Sequence, residues 1–327
     1  MAEYLSHYSV MLKECLEALE SGSKSSGSFI FADLTFGAGG HTFALSDQIS
    51  GSIVYSTDQD PDALKNGNEE ISRRGKTDSI HLLPMNFEAF PNWCVENKME
   101  GKFAGILMDL GVSSHQFDKM ERGFSFRADA PLDMRMNYGD NKIPTAADLL
   151  NTMREEEIAD LIFKYGEERL SRRIASKIVE LRQTEKITST LQIEDICFHA
   201  YPAKDRHRGI HPATRTFQAL RIAVNAELTV LESTLPKLLP FLAEGGVLAV
   251  ISFHSLEDRI VKHTFKEIVE EKIFPATILT KKPLTATDEE LSQNSRSRSA
   301  KLRLIQRDSF QPGRVDGTKK KKRYSVQ

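Results

Sequence analysis

The sequence has few cysteines and no long hydrophobic segment. Only three cysteines occur in 327 residues, and they are far apart, without a C-x-x-C pair: Cys15, Cys94 and Cys197. This spacing argues against a disulfide framework and against a zinc knuckle. No apolar run approaches the roughly 18 residues that cross a bilayer, and the N-terminus lacks the basic and apolar regions of a signal peptide. We therefore expect a cytoplasmic protein without a membrane partner.

An excess of basic residues is also missing. The chain has 44 lysines and arginines against 46 acidic residues, a formal net charge of −2, whereas nucleic-acid-binding proteins usually have a basic excess. The distribution is uneven, however, because eleven basic and two acidic residues lie between positions 293 and 327. The other part of the chain therefore has 33 basic and 44 acidic residues. An acidic body with a basic end permits an RNA partner.

Short apolar runs alternate with helical or polar stretches in the first third of the chain. Together with two later runs, they are the predicted strands: 29–34, 52–57, 80–85, 105–110, 247–253 and 300–307. Alternation of this kind predicts βαβ units around a parallel sheet, and therefore an α/β fold.

The strand pattern is replaced by helical spacing between about 115 and 215, where apolar residues recur every three or four positions. This change predicts a helical domain inserted into the α/β domain. The predicted divisions are an α/β domain over 1–114 and 216–310, a helical substrate-recognition domain over 115–215, and a basic, disordered tail over 311–327.

Several local features are predicted from helix-forming and turn-forming residues. They are a helix at about 10–20 followed by a Ser/Gly-rich loop at 21–28, a long helix from 217 to 235, a helix stop at Gly245-Gly246, a helix starting at Ser255, and a Pro/Thr linker after about 275.

A glycine-rich turn follows the first predicted strand. Its sequence, Gly37-Ala38-Gly39-Gly40-His41, opens a helix, and Asp58 ends the second strand. Such a loop lets a ligand approach the backbone, and a carboxylate at the second strand end can bind the two hydroxyls of an adenosine ribose. Two cofactors compete, a nicotinamide dinucleotide and S-adenosylmethionine. Because G-x-G-G-H lacks the third glycine of G-x-G-x-x-G, it favours S-adenosylmethionine. Phe87, after the third strand, is either an adenine contact or a core aromatic.

Polar residues also end the later strands, and they are the candidates for catalysis. Asp109 ends the fourth strand and His254 follows the fifth, at the sheet edge where α/β proteins bind ligands. No cysteine lies at a predicted strand end, which argues against covalent methylation at carbon-5 of a pyrimidine. Asp109 could accept a hydrogen bond from an exocyclic amine, or contact the methionine part of the cofactor. For His254, a structural hydrogen bond is the alternative. The nine histidines form no ligand-spaced cluster with acids, so we expect no metal.

A basic, loop-like stretch is the candidate RNA-binding surface. Its residues are Lys204, Arg206, Arg208 and His211, with Arg215 on the following helix. Side chains of this kind bind phosphates, and a flexible loop can close over an unstacked base. The alternative is a solvated face without a partner.

Seven blocks between 7 and about 303 resemble the RsmH (MraW) family. They are DLTFGAGGHT (33–42), MDLGVSS (108–114), ERGFSF (121–126), PLDMRM (131–136), YGEER (165–169), HPATRTFQA (211–219) and SFHSLEDR (252–259). The resemblance implies a class I (Rossmann-like) S-adenosylmethionine-dependent methyltransferase with an inserted helical domain. It also implies methylation of N4 of a cytidine in 16S rRNA of the small ribosomal subunit, near the decoding centre.

The resemblance carries the cofactor contacts onto particular residues of this chain: Gly39, Gly40, His41, Asp58, Phe87, Asp109 and Gln116. The chain has Asp109-Leu110-Gly111-Val112 where many amino-methyltransferases have Asp-Pro-Pro-Tyr, so the catalytic assignment depends less on motif than the cofactor assignment does. The other hypotheses are a non-enzymatic RNA-binding factor of ribosome assembly and a nicotinamide-dependent oxidoreductase. The sequence leaves the oligomeric state open, a homodimer included.

Overall fold

A single β-sheet forms the centre of the fold. The computed structural model describes residues 9–309, and the predicted tail at 311–327 lies outside them. The strands in this part of the chain are β1 Ile30–Asp33, β2 Ile53–Asp58, β3 Ile80–Pro84, β4 Phe103–Asp109, β5 Leu242–Ser252, β6 Ala276–Ile278 and β7 Lys301–Arg307. Their order is β3-β2-β1-β4-β5-β7-β6. The first five are parallel, whereas β7 is antiparallel to β5 and to β6.

Helices cover the sheet, and helices that lie between β4 and β5 along the chain form a separate layer. Within residues 9–309 the α-helices are α1 Leu12–Ser26, α2 Gly40–Gln48, α3 Pro61–Arg73, α4 Phe90–Glu96, α5 Ser114–Asp118, α6 Ala146–Thr152, α7 Glu155–Gly166, α8 Ser171–Arg182, α9 Thr190–Ala200, α10 Thr214–Asn225, α11 Glu227–Thr234, α12 Ser255–Glu270 and α13 Asp288–Gln293. In this part of the chain no helix is both long and apolar enough to cross a bilayer.

The sheet has an apolar core on each of its faces. On one face Phe90, Phe103 and Met108 pack with residues of α11 and α12. On the other face Phe31 and Leu107 pack with residues of α1. Strands covered on both faces need continuous rather than alternating apolar sequences, and β4 is accordingly buried at every position except the last. This is why the runs at 29–34 and 105–110 could be recognised as strands.

The helical layer has an apolar core of its own. Its buried residues extend from Phe124 to Val224 and include side chains of α7, α8, α9 and α10. Phe217 and Leu220 of α10 belong to this cluster, although they follow position 215. The division of the chain into domains stays a prediction.

The predicted loop at 21–28 is wrong, because α1 continues to Ser26. Gly22 within this segment serves helix packing rather than a loop. A Cβ on Gly22 would collide with the carbonyl oxygen of Ala104 in β4, so the glycine lets the helix lie directly against the sheet. The chain then turns at Gly27, where φ is 70°.

The predicted long helix over 217–235 is two helices, α10 and α11. They are separated by Ala226, whose φ of 50° lies in the left-handed region. Asn225 holds the break in place, since its Nδ2 donates to the carbonyl of Met134 and its Oδ1 accepts from the N–H of Met136. Apolar spacing alone does not reveal a break of this kind.

Two further local predictions are wrong. Gly245-Gly246 does not stop a helix but lies within β5, which begins at Leu242. The predicted linker after 275 contains the short strand β6 and helix α13. The helix starting at Ser255 is confirmed as α12, with His254 as its N-cap.

Candidate active site

A cleft lies at the carboxyl ends of the five parallel strands β1 to β5. It is lined by Gly37, Ala38 and Gly40 of the glycine loop after β1, by Asp58 and Gln59 after β2, and by 109–114 after β4. Gly39, a predicted cofactor contact, lies outside this lining. Residues of the α10–α11 break and of the start of α12 also line it. This is the edge at which open α/β sheets bind ligands.

Two positions of the glycine loop have no room for a side chain. Gly39, the N-cap of α2, has a φ of 79°, and a Cβ there would lie 2.5 Å from the ring of Phe43. A Cβ on Gly40 would collide with the hydroxyl of Ser9. The N–H of Gly39 donates to the carbonyl of Phe36 at 2.7 Å. The loop therefore offers a ligand the backbone of Gly40, at the start of α2, where N–H groups can face an anion or a polar group.

Asp58 fastens this loop to the end of β2. Its Oδ2 accepts from the N–H of Gly37 at 2.8 Å, and its Oδ1 accepts from the N–H of Asp60 at 2.9 Å. Burial disfavours the charged form and raises the pKa of the Asp58 carboxyl to about 7, although both hydrogen bonds act in the opposite direction. The two hydrogen bonds hold the carboxylate in place in the lining of the cleft. A fixed carboxylate suits the predicted contact with two ribose hydroxyls.

Asp109 and His41 face each other beside the glycine loop. The Nε2 of His41 is 3.6 Å from Oδ2 of Asp109, and the imidazole is almost completely buried. Burial lowers the pKa of His41, but the carboxylates of Asp109 and Asp33 outweigh burial, so the pKa is raised overall. Among the described residues, neither ring nitrogen of His41 nor Oδ1 of Asp109 has a hydrogen-bond partner. Buried polar atoms of this kind are available to a ligand.

Gln116 belongs to a buried chain of polar contacts that the sequence did not reveal. Its Nε2 donates to Oδ2 of Asp60 at 2.8 Å, and the same oxygen is 2.8 Å from Nη1 of Arg122. Arg122 is only 1% exposed and donates to the carbonyls of Arg135 and Met136. Arg122 therefore fixes the carboxylate that positions Gln116. The pattern Ser113-x-x-Gln116, which forms a capping box at α5, was the available signal for this position.

Phe87 lies at the opposite end of the cleft, after β3. It lines the cleft together with Asn86, whose Nδ2 donates to Oε1 of Gln59 at 3.0 Å. The ring also packs against the apolar core on that face of the sheet. The two alternatives considered for Phe87, a cofactor contact and a core aromatic, are therefore compatible.

His254 is held at the start of α12 rather than at the cleft surface. Its Nδ1 accepts from the N–H of Glu257 at 3.4 Å, and its Nε2 is 3.1 Å from Oε1 of the same residue. Glu257 and Phe253 line the cleft, whereas His254 is outside the set of residues that line it. His254 thus makes the structural hydrogen bond that was the alternative to a catalytic role.

The basic residues predicted to bind RNA lie away from the cleft lining, in and beside the loop between α9 and α10. Arg206 lies over the ring of Phe198 at 5.1 Å and donates to the carbonyl of Tyr201. Arg208 is 78% exposed, 4.0 Å from Asp205. Lys204 lies in a 3₁₀ turn in the same loop.

His211 and Arg215 are tied to the helical layer. The His211 ring stacks on Phe126 with centroids 4.8 Å apart, and its Nε2 is 3.3 Å from Glu194. Nη1 of Arg215 donates to the carbonyl of Glu167 at 3.4 Å. Basic and aromatic side chains therefore lie together on the helical layer, in and beside the loop between α9 and α10.

Comparison with known proteins identifies the family. The model of the MraW methylase family matches residues 4–308. The chain belongs to this family. It is 45% identical to a relative from Heliobacterium mobile over 92% of this chain and 98% of the relative, and 46% identical to one from Nostoc punctiforme over 92% and 94%. A relative from Sulfurihydrogenibium is 44% identical over 92% and 99%. Each relative is named ribosomal RNA small subunit methyltransferase H.

Family membership confirms the fold and cofactor predictions. The protein has the class I methyltransferase fold, and S-adenosylmethionine is its cofactor. The cleft fits that molecule on three counts: a glycine loop whose Gly37 and Gly40 line it, a carboxylate at the end of β2, and unpartnered buried atoms on His41 and Asp109.

Proposed function

We propose that the protein transfers a methyl group from S-adenosylmethionine to N4 of a cytidine in 16S rRNA, near the decoding centre. The names of the relatives support the small-subunit rRNA as substrate. The observation that carries the choice of an amine is Asp109, which ends β4 in the cleft with one carboxylate oxygen free of hydrogen bonds among the described residues. An acceptor at this position suits an N–H donor.

The cysteines support the same choice. Methylation at carbon-5 of a pyrimidine needs a nucleophile that adds to the ring, usually a thiolate. All three cysteines are buried, and none lines the cleft. Burial also raises the pKa of Cys94 and Cys197 to about 12, which keeps these thiols protonated at neutral pH.

In this proposal each residue of the cleft has one role. The methyl group on the sulfonium of S-adenosylmethionine is the electrophile. Gly40 presents its backbone N–H group, Asp58 accepts from the ribose hydroxyls, and Phe87 packs against the adenine. Asp109 accepts a hydrogen bond from the target amine, which draws the delocalised lone pair back onto nitrogen. Positioning of the two reactants then supplies much of the rate acceleration.

The decisive experiment is methyl transfer onto unmethylated small-subunit particles, followed by nucleoside mass spectrometry. We expect N4-methylcytidine from the wild-type protein and at least a hundredfold loss of rate from Asp109→Asn. RNA binding without turnover would instead support the non-enzymatic assembly factor. Binding of NADH without S-adenosylmethionine would support the oxidoreductase. A methylated product other than N4-methylcytidine would overturn the proposed position of the methyl group.

The basic loop between α9 and α10 is proposed as part of the RNA surface. Phosphate contacts by lysine and arginine make binding salt-dependent, and each lost contact lowers the slope of log K against log salt by about 1. We expect this reduction for Lys204→Ala and for Arg208→Ala. Lys13→Ala, on the exposed face of α1, is the matched control and should keep the wild-type slope. Unchanged slopes for both loop variants would remove the loop from the RNA surface.

Three further predictions belong to the same proposal. They are the helical domain at 115–215 as the substrate-recognition domain, a cytoplasmic location, and a homodimer as one of the open oligomeric states.

A further inference from the structure

The lining of the cleft contains two carboxylates that no cofactor contact explains. Glu227 is the first residue of α11, and Glu257 lies in the first turn of α12. Both line the cleft, with side chains 11% and 2% exposed. Glu227 follows directly on Ala226, whose left-handed conformation (φ 50°) is costly for a residue with a Cβ. Strained backbone of this kind is concentrated at functional sites.

The charges around these carboxylates are only partly compensated. Arg221 of α10 places Nε 2.9 Å from Oε1 of Glu227 and Nη2 3.8 Å from Oε1 of Glu257. His254 is 3.1 Å from Glu257. Yet Nη2 of Arg221 and Nε2 of His254 form no hydrogen bond within the described part of the chain. A buried ion pair with such incomplete satisfaction stabilises a fold poorly, which favours a functional reason for it.

The two carboxylates differ in their affinity for a proton. Burial raises the pKa of Glu227, Arg221 opposes it, and Glu257 adds to it, so the pKa is raised overall. Burial also acts on Glu257, but His254 and Arg221 outweigh it, and the pKa of Glu257 is lowered. These are the charged groups that face Glu227 from α10 and from the start of α12. Of the pair, Glu227 is therefore the residue that binds a proton more readily and is the better candidate for a general base.

Gly111, two residues beyond the end of β4, relates this pair to Asp109. A Cβ on Gly111 would lie 3.7 Å from Nη1 of Arg221 and 3.8 Å from the ring of Phe253. The loop that follows Asp109 thus lies beside Arg221, which holds Glu227, and both carboxylates line the same cleft. An exocyclic amine has two hydrogens, and two acceptors can bind both.

We propose that Glu227 is a catalytic residue that binds the target amine together with Asp109 and accepts its proton. The inference rests on the proposed function, since it requires an amine as the acceptor of the methyl group. The nitrogen lone pair forms the bond to the methyl carbon, the methyl–sulfur bond breaks, and its electron pair stays on sulfur. The proton that the nitrogen loses passes to a carboxylate oxygen of Glu227 and then to solvent.

The test uses the full-length protein and three variants in the methyl-transfer assay on small-subunit particles. Glu227→Gln preserves size and a hydrogen bond to Arg221 but removes the base. Glu227→Ala opens space for a small carboxylate. Glu232→Gln, on an exposed position of α11, is the matched control. We expect kcat to fall about a hundredfold in both Glu227 variants, within the range for loss of a general base, and to stay unchanged in the control.

Two measurements distinguish a catalytic role of Glu227 from a purely structural one. The wild-type kcat should fall on the acidic side as Glu227 becomes protonated, and Glu227→Gln should lack this limb. Formate should restore activity to Glu227→Ala but not to Glu227→Gln, because only the alanine variant leaves room for it. S-adenosylmethionine affinity, measured by calorimetry, should stay within twofold of wild type in both.

Wild-type kcat in Glu227→Gln would overturn the inference, as would a retained acidic limb or the absence of formate rescue in folded Glu227→Ala. Loss of cofactor affinity would assign Glu227 to the cofactor instead. In each of these cases a wild-type protein that still forms N4-methylcytidine leaves the proposed function intact. A wild-type protein that methylates a ring carbon or a ribose oxygen would overturn the proposed function and, with it, a role of Glu227 toward an amine.

Discussion

Replacing Asp58 by asparagine tests the cofactor end of the cleft most directly. The substitution keeps the size of the side chain and one oxygen that can accept from the backbone, but it removes the negative charge. In the wild-type protein the two carboxylate oxygens already accept from Gly37 and Asp60 at 2.8 and 2.9 Å. The lone pairs that remain are the ones that ribose hydroxyls would use. The amide of the Asp58→Asn variant would have one oxygen for all these donors.

The expected magnitude follows from the loss of charge-assisted hydrogen bonds. Hydrogen bonds to a charged group contribute about 1.5–3 kcal/mol, which corresponds to a roughly 10- to 150-fold weaker affinity. The raised pKa of Asp58, about 7, adds a pH dependence. The ionised form binds the hydroxyls, so affinity should fall as the pH drops through 7 and become about tenfold weaker by pH 6. Asp58→Asn should lack this dependence.

Calorimetric titration with S-adenosylhomocysteine between pH 5.5 and 8.5 measures both effects. Asp78→Asn is the control, because Asp78 is exposed and precedes β3 at the opposite edge of the sheet. It should bind like the wild-type protein at every pH. An affinity of Asp58→Asn within twofold of wild type at pH 8 would refute a ribose contact by Asp58. A pH dependence that persists in this variant would assign the titration to another group.

Three further predictions concern stability and reactivity. The three cysteines are buried with raised pKa values, so a thiol reagent at pH 8 should label none in the native protein and three after denaturation; rapid native labelling would contradict their burial. Ala226→Gly should leave the free energy of unfolding unchanged or raise it by up to about 1 kcal/mol, since glycine relieves the left-handed strain, whereas Ala223→Gly inside α10 should lower it by about 1 kcal/mol; equal losses in urea denaturation would argue against strain at 226. Arg73 and then Arg74 hold the pKa of Glu70 down, to about 2. Its ionised form therefore stabilises the fold above about pH 4.5 and ceases to do so as the pH falls toward 2. Glu70→Gln should cost about 1 kcal/mol at pH 7 and nothing near pH 2, and a cost independent of pH would exclude the ion pair as its cause.

The cofactor end of the cleft could be predicted from the sequence because its determinants are local. A strand, a glycine turn and a helix start follow one another over 30–41, and the next acidic strand end is Asp58. Parallel strands bring their carboxyl ends to one edge, so short motifs suffice to place these residues together. The same holds for Asp109, which the structure puts beside His41. Their roles toward the cofactor stay predictions.

The part of the cleft lined by Glu227 and Glu257 could not be predicted, because its contacts join distant parts of the chain. Glu227 depends on a break at Ala226, and that break is held by Asn225 through the backbone of Met134 and Met136. Nothing in the apolar spacing of 217–235 distinguishes two helices from one. Arg122 likewise reaches Asp60 over about sixty residues, and its burial follows from the packing of the helical layer. Long-range compensation of charge has no local signature in sequence.

The balance of charge in the cleft bears on the choice between the two cofactors that the sequence left in competition. The carboxylates that line it are Asp58, Asp109, Glu227 and Glu257. Among described residues, the basic side chains that line it are His41, beside Asp109, and Arg296, which is 2.6 Å from Asp118. Arg221 and His254 lie beside Glu227 and Glu257, whereas Asp58 and Asp109 form no ion pair with an arginine or a lysine among the described residues. Carboxylates in a partly buried site favour a positive partner. A cofactor with a sulfonium and an ammonium group supplies positive charge, whereas the diphosphate of a dinucleotide would add negative charge. The electrostatics of the cleft thus favour S-adenosylmethionine independently of the glycine motif.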